Sequence, residues 1–98
     1  MQKNILVIDD SALMRRVISD IINLDERFHV SKVAVNGLEA LNLLVQYKEK
    51  YDAIILDINM PKMNGLEFLE QLERRNIKAT VIIVSTVAKE ERKKPFVH

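Results

Sequence analysis

Apolar residues along the chain occur in two kinds of segment, short continuous runs and longer stretches with helical spacing. The continuous runs dominate residues 5–8, 52–56 and 80–84 and are typical of strands buried on both faces of a parallel sheet. Residues 28–35 instead alternate apolar and polar positions, which indicates a strand nearer the edge of that sheet. The pattern therefore predicts a set of strands with one of them less deeply buried.

Between the strands lie segments in which apolar residues recur at every third or fourth position, as on one face of a helix. The first helix is predicted to begin at Asp10 or Ser11, since either side chain can cap it. The second follows Asn36-Gly37, and the third follows a loop at residues 57–65. The apolar positions are Leu13 or Met14, Val17, Ile18, Ile21 and Ile22 in the first helix, Leu38, Leu41, Leu44 and Val45 in the second, and Leu66, Leu69 and Leu72 in the third.

Strands and helices that alternate in this way form an α/β fold, with helices on both faces of a parallel sheet. Crossover connections are right-handed, and the doubly wound arrangement places strand 1 inside, strand 2 on one side and strand 3 on the other. We therefore predict a flavodoxin-like sheet with strand order 2-1-3-4. In such sheets ligands bind beyond the carboxyl ends of strands 1 and 3, where the winding reverses.

Three aspartates fall at the carboxyl ends of those two strands. Asp9 and Asp10 end strand 1, and Asp57 ends strand 3. Adjacent acids also favour a helix N-terminus, but three carboxylates in one crevice repel each other unless a cation is bound. Mg2+ prefers oxygen ligands, and a carboxylate beside it can act as a nucleophile. The sequence therefore predicts a Mg2+ site suited to phosphoryl chemistry.

The positions of the candidate residues assign them different roles. Asp57 follows a buried strand, so we expect it to lie at the base of the crevice. Asp9 and Asp10 are adjacent and reach one metal only through a turn, so we assign direct contact to Asp10 and a water-mediated or supporting role to Asp9. The backbone carbonyl of Asn59 is predicted to add a metal ligand. Ser85, at the end of strand 4, is predicted to hydrogen-bond a phosphoryl oxygen.

Three segments that carry these residues resemble the landmark segments of response-regulator receiver domains. They are Asp9-Asp10-Ser11, the run from Ile54 to Pro61 with Gly65 behind it, and Val84-Ser85-Thr86. The resemblance implies that Asp57 accepts a phosphoryl group from a histidine kinase, with Mg2+ as cofactor, and that Ser85 is the switch hydroxyl. A receiver of this kind catalyses its own aspartyl phosphorylation and dephosphorylation and is not an enzyme in the ordinary sense. Residues 8–16 resemble most the receiver of the chemotaxis protein-glutamate methylesterase.

The carboxyl end departs from the receiver pattern. Receivers continue after strand 4 with a helix, a fifth strand and a last helix, but only 13 residues follow Ser85. A helix and a strand of average length need about 17 residues, so we expect the fifth strand and last helix to be missing. We assign residues 1–88 to an incomplete receiver and 89–98 to a charged tail. Lys94, in Lys94-Pro95-Phe96, resembles the family's active-site lysine but comes early, either by chance or because an internal segment is missing.

Composition excludes several other classes of function. The formal net charge of +1 gives no electrostatic basis for binding nucleic acid or an anionic membrane. No apolar stretch is long enough to span a bilayer. The lack of cysteine excludes thiol catalysis and disulfides and fits a reducing compartment. We therefore expect a cytoplasmic protein with no nucleic-acid or membrane partner.

Other functions remain to be weighed against the receiver. A Mg2+-dependent phosphatase needs a general acid two residues after its nucleophile, where Asn59 stands instead. A nucleotide- or flavin-binding protein needs a glycine-rich or hydroxyl-rich loop after strand 1, and residues 9–13 contain no glycine. The remaining alternative is a truncated or engineered receiver fragment that keeps the acidic site but acts as a self-associating, non-switching module.

Self-association follows from the expected loss of the last elements. Without a fifth strand, strand 4 becomes an apolar edge that can pair with another chain. Without the last helix, one face of strands 1 and 3 is expected to be uncovered. We therefore predict a homodimer or larger assembly through the strand 4 edge.

Overall fold

A computed structural model describes residues 2–84, and Met1 and residues 85–98 lie outside the described part. Its strands are β1 (Lys3–Ile8), β2 (Phe28–Ala34), β3 (Ala53–Asp57) and β4 (Val81–Val84), and its helices are α1 (Ala12–Asn23), α2 (Gly37–Val45) and α3 (Gly65–Arg74). All strand pairs are parallel, in the order β2-β1-β3-β4. The predicted α/β fold and strand order are therefore confirmed. The predicted loss of a fifth strand and last helix concerns residues beyond those described.

The three helices are short, and each begins at a polar capping residue. Ser11, and not Asp10, is the N-cap of α1. Asn36 caps α2. Asn64 caps α3 with a reciprocal capping box, in which the Glu67 carboxylate accepts from the Asn64 backbone N–H. Within residues 2–84 no helix has both the length and the apolar character needed to cross a bilayer.

Helices α2 and α3 cover one face of the sheet and shield it from solvent. Phe68 of α3 has no exposed surface and is the largest of the fully buried side chains. It belongs to a cluster of buried residues drawn from three strands, both helices and the loop between β3 and α3, which comprises Leu6, Ile8, Ala34, Ala40, Leu41, Ile54, Leu56, Met60, Phe68 and Leu72. We call this the closed face. It holds most of the buried apolar surface that stabilises the described fold.

Helix α1 lies on the opposite face, and none of its residues is buried. Ile5 and Val7 of β1 are nevertheless buried, so the expectation that this face of strand 1 would be uncovered is wrong. Farther out, Ile55 is partly buried and Ile82 is 50% exposed. An apolar groove of about 330 Å³ remains there, lined by Ile5, Ile21, Ile22, Asp25, Phe28, Ala53, Ile55 and Ile82. We call this side of the sheet the groove face.

Strand β2 contains one extra residue relative to β1. Val30 pairs with Ile5, but the next residue of β1 pairs with Lys32, so Ser31 is the extra residue of a β-bulge. Because side chains alternate between the faces of a sheet, one extra residue reverses the faces of the residues beyond it. The bulge thereby places Ala34 on the closed face, where it is fully buried.

Candidate metal centre

Three carboxylates meet at the carboxyl end of the sheet. Asp9 directly follows β1, and Asp57 is the last residue of the neighbouring strand β3. One carboxylate oxygen from each of Asp9, Asp10 and Asp57 lies within 4.8 Å of the others. Asp9 and Asp57 are each only 1% exposed, whereas Asp10 is partly exposed. The cluster is therefore buried at its base and open to solvent beside Asp10.

The spacing of the carboxylates fits one small, hard cation. Two ligands on opposite sides of Mg2+ lie about 4.2 Å apart, because each Mg–O distance is about 2.1 Å. Oxygens within 4.8 Å of one another can share such an ion after small adjustments, or with one carboxylate bound through water. The donors are all oxygens, which Mg2+ prefers, and a cation also lowers the repulsion between neighbouring carboxylates.

The turn between β1 and α1 holds Asp9 by both its side chain and its backbone. The Ser11 backbone N–H donates to Asp9 Oδ1 at 2.9 Å, and Arg15 Nη1 donates to the Asp9 carbonyl oxygen at 2.9 Å. The Asp9 backbone N–H donates to the carbonyl of Ala34 in β2 at 3.1 Å, which extends the β1–β2 ladder by one bond. One oxygen of Asp9 is therefore bonded within the turn, and its supporting role at a metal stays a prediction.

Arg15 is a residue of this region that the sequence did not single out. Its side chain reaches back from the first turn of α1 to the end of β1. The pattern of apolar positions places Arg15 off the apolar face of the helix, where an arginine side chain is expected to extend into solvent. The sequence contained no signal for a contact between this side chain and a backbone carbonyl.

The loop from Ile58 to Asn64 rises from the end of β3 and is folded back on it. The Gly65 backbone N–H donates to the Ile58 carbonyl at 3.0 Å. A Cβ at position 65 would lie 2.7 Å from the Asp57 carbonyl oxygen, a closer approach than a side chain allows. The Asn59 backbone N–H points to Asp57 Oδ1 at 3.4 Å, a long hydrogen bond. The loop thus brings the Asn59 backbone next to Asp57.

A shallow cavity opens beside the exposed side of the cluster. Its volume is about 540 Å³, and its lining consists of Asp10, Ile58, Asn59, Met60, Pro61, Asn64 and Leu66. Both a candidate metal ligand and the β3–α3 loop therefore border the same open space.

The structure brings the carboxylates of Asp9, Asp10 and Asp57 together, and the backbone N–H of Asn59 lies 3.4 Å from Asp57 Oδ1. The metal-ligand roles assigned to these residues, including that of the Asn59 carbonyl, stay predictions. The predictions for Ser85 and Lys94 lie outside the described residues. The last described residue, Val84, pairs in register with Asp57.

Comparison with known proteins adds an independent line of support. The family described as the response regulator receiver domain matches residues 5–97. The protein-glutamate methylesterase/protein-glutamine glutaminase of Treponema denticola is 44% identical over 89 residues, which are 91% of this chain and 23% of that protein. The protein of the same name from Pyrococcus horikoshii is 41% identical over 86 residues, 88% of this chain and 23% of that protein. The chain thus spans about a quarter of the length of these relatives.

Solved structures with a similar fold point the same way. The response regulator domain of Thermotoga maritima CheB aligns with a TM-score of 0.77 and 38% identity, covering 92% of this chain and 65% of that one. A chain of the CheX-CheY-BeF3-Mg2+ complex from Borrelia burgdorferi gives a TM-score of 0.77 and 31% identity, covering 92% of this chain and 66% of that one. The acidic cluster, the strand order and the family match agree, and the chain belongs to the response regulator receiver domain family of two-component signalling.

Proposed function

We propose that the chain is a phosphoacceptor switch in which Asp57 takes a phosphoryl group while Mg2+ is bound by Asp9, Asp10, Asp57 and the backbone carbonyl of Asn59. The observation that carries the proposal is the meeting of three carboxylate oxygens within 4.8 Å at the carboxyl end of β1 and β3. Asp57 is buried at the base of this cluster, and Asp10 borders the open cavity. Direct contact with the ion is assigned to Asp10, and a water-mediated or supporting role to Asp9.

The proposed reaction moves a phosphoryl group from a phosphohistidine to Asp57. A carboxylate oxygen of Asp57 attacks phosphorus, an O–P bond forms, and the P–N bond to the donor imidazole breaks. The imidazole nitrogen keeps the electron pair of the broken bond, takes up a proton from solvent and leaves as neutral imidazole. Bound Mg2+ supplies positive charge for the phosphoryl oxygens. Hydrolysis by water later breaks the O–P bond and returns the Asp57 carboxylate and inorganic phosphate.

Two residues beyond the described part are proposed to complete the site. Ser85 is proposed to donate a hydrogen bond to a phosphoryl oxygen, which is supported by the pairing of the preceding residue, Val84, with Asp57. Lys94 is proposed as the cation that contacts the phosphoryl group, on the receiver resemblance alone. Residues 1–88 are proposed as the receiver unit.

A histidine kinase is the proposed phosphodonor, and the cytoplasm is the proposed compartment. Membership of the receiver family supports the donor class. Among similar structures, the complex of the CheA3 P1 domain with CheY6 from R. sphaeroides has a TM-score of 0.70 and 37% identity to this chain, and covers 91% of it. The partly exposed Asp10 and the cavity next to it leave room for a docked donor at the site.

The first test is intact mass after incubation with Mg2+ and acetyl phosphate. We expect a gain of one phosphoryl group in the wild type and none in Asp57→Asn, because the amide is not a nucleophile toward phosphorus. Asp20→Asn serves as the control, since Asp20 lies exposed on α1 with a loose ion pair to Arg16 at 3.8 Å. Removal of Mg2+ with EDTA should abolish the gain. Labelling of Asp57→Asn at the wild-type rate would reject Asp57 as acceptor.

A second proposal is that a second copy of the chain pairs along β4 and gives a self-associating module. Its support is the exposure of two apolar side chains on this outer strand of the described sheet, 50% for Ile82 and 49% for Ile83. Sedimentation of the wild type and of Ile83→Lys tests it. We expect assembly in the wild type and a monomer in the variant. A wild type that stays monomeric at high concentration and still takes a phosphoryl group would reject the self-associating module and retain the phosphoacceptor switch.

A further inference from the structure

Helix α2 touches the loop of the metal centre at its first residue. The backbone N–H of Gly37 donates to the carbonyl oxygen of Met63 at 2.9 Å. Gly37 is buried at this contact, and Met63 lies in the segment that joins Asn59 to α3. The start of α2 is therefore bonded to the loop that carries a proposed metal ligand, although it is not itself near the carboxylates in sequence.

The contact leaves no space for a side chain at position 37. A Cβ there would lie 2.6 Å from the Met63 carbonyl oxygen and 2.8 Å from Met63 Cγ. The side-chain atom can rotate away, but the carbonyl oxygen belongs to the backbone and moves only with the loop. Gly37 does not have a positive φ, so alanine suits its backbone conformation and is a better helix former. The conflict is purely steric.

The loop is also held where it leaves β3. A displacement of the Met63 backbone is therefore transmitted along the loop. Gly65 packs against the carbonyl of Asp57 and bonds that of Ile58. Met60 is only 8% exposed and is part of the core cluster on the closed face. A displaced Met63 carbonyl therefore cannot be absorbed by inward movement of the loop without disturbing the core. The residues of the loop that are exposed and can respond are Asn59, Pro61 and Lys62.

We propose that Gly37 is a positioning residue for the metal centre. Its bare backbone lets the start of α2 dock on the Met63 carbonyl, and this contact sets the height of the loop and so the place of the Asn59 backbone beside Asp57. The effect on metal binding rests on the proposed function, in which the Asn59 carbonyl is a ligand. Helix α2 is thereby coupled to Mg2+ affinity without contacting the ion.

The test compares Gly37→Ala with Ala40→Gly in the same helix. Ala40 is buried and lies one turn further on, and its replacement by glycine weakens the helix without adding atoms near Met63. By isothermal titration calorimetry on folded protein, we expect Gly37→Ala to bind Mg2+ about tenfold more weakly, as for lost support of a metal ligand. Ala40→Gly should bind as the wild type does. Adding Met63→Ala to Gly37→Ala should not restore affinity, because the carbonyl remains.

A second readout does not need the metal. In 1H–15N spectra of the metal-free proteins, the amide of Asn59 should shift in Gly37→Ala and stay in place in Ala40→Gly. An unchanged Asn59 amide and unchanged Mg2+ affinity in Gly37→Ala would overturn the inference, as would equal changes in the control. A wild type that binds no Mg2+ would instead refute the proposed metal centre, and the Asn59 amide would still decide whether Gly37 positions the loop.

Discussion

The two faces of the sheet use the same strands but differ in how completely they are packed. On the closed face α2 and α3 bury Phe68 and Leu56 with no exposed surface. On the groove face α1 leaves Ile21 62% exposed and Ile82 50% exposed within the described residues. Strands with continuous apolar runs present equal apolar surface to both sides. The difference shows that the helices, and not the strands, decide how much of that surface is buried.

The two buried carboxylates lie in line with the groove face. By strand alternation, Asp57 continues the row of Ala53 and Ile55, and Asp9 continues the row of Val7. The closed face therefore fixes the positions of β1 and β3, whereas the side chains of Asp9 and Asp57 project toward the side that is less completely packed. Functional segments are commonly drawn from the less stable parts of a fold. The arrangement places the buried carboxylates at the ends of rigid strands while their side chains face the less completely packed side.

The largest expected effect separates the two faces directly. Phe68→Ala should lower the free energy of unfolding by about 3–5 kcal/mol, because it leaves a cavity in a filled core. Ile21→Ala on the groove face should cost less than about 1 kcal/mol, since most of that side chain is already exposed. Urea unfolding followed by circular dichroism measures both. Phe68→Leu provides a milder change should the alanine variant be unfolded. Equal losses for the two alanine variants would show that the faces do not differ energetically.

Removal of a helix cap should cost about the same on either face. Ser11 Oγ accepts from the Met14 N–H at 3.2 Å in α1, and Asn64 Oδ1 accepts from the Glu67 N–H at 2.9 Å in α3. Ser11→Ala and Asn64→Ala should each lose about 1 kcal/mol, because a cap acts on local backbone and not on packing.

The same urea experiment checks the caps, with the exposed Glu70→Ala of α3 as the neutral control. A loss for Ser11→Ala that is several times smaller than that for Asn64→Ala would sharpen the comparison. It would mean that α1 unfolds on its own before the rest of the described structure does.

The smallest effect concerns a charge at the rim of the groove. Arg27 donates a hydrogen bond to Asp25 and holds the pKa of that carboxyl at about 2, below its ordinary 3.8. A lowered pKa contributes stability above pH 3.8 that disappears as the pH falls through about 2. Arg27→Gln should return the pKa of Asp25 toward its ordinary value in an NMR titration.

Arg16→Gln, which removes a like charge from exposed α1, should leave the titration of Asp25 unchanged. Added salt should weaken the Asp25–Arg27 interaction, because a pair at the surface is screened. Insensitivity to salt would mean that the rim of the groove is covered in solution, and the contrast between the two faces would then be smaller than it looks.

Much of the fold followed from the sequence because one pattern governs it. Continuous runs predicted β1, β3 and β4, and alternation predicted an edge position for β2. Since parallel strands share one carboxyl end, the strand order brought Asp9 and Asp57 together without further information. Chain order alone is enough to predict such a site, because its residues sit where strands end.

Contacts between segments that are distant along the chain could not be predicted from the sequence. The docking of Gly37 on Met63 depends on the exact height of a loop, and Arg15 depends on where its long side chain turns. The bulge, by contrast, had a visible signal. Apolar positions in β2 fall at Phe28 and Val30 and then, in the opposite phase, at Val33. A shift of phase inside one strand is what an extra residue produces.

The bulge also tells where the chain can change length. Deletion of Ser31 would join two halves of β2 that already pair correctly with β1 and already face the correct sides. In a strand that has no bulge, an insertion or deletion of one residue would turn every following side chain to the wrong face of the sheet. The outer strand farthest from Asp57 therefore carries the spare residue, so natural variation in length can be accommodated there while the acidic site keeps its frame.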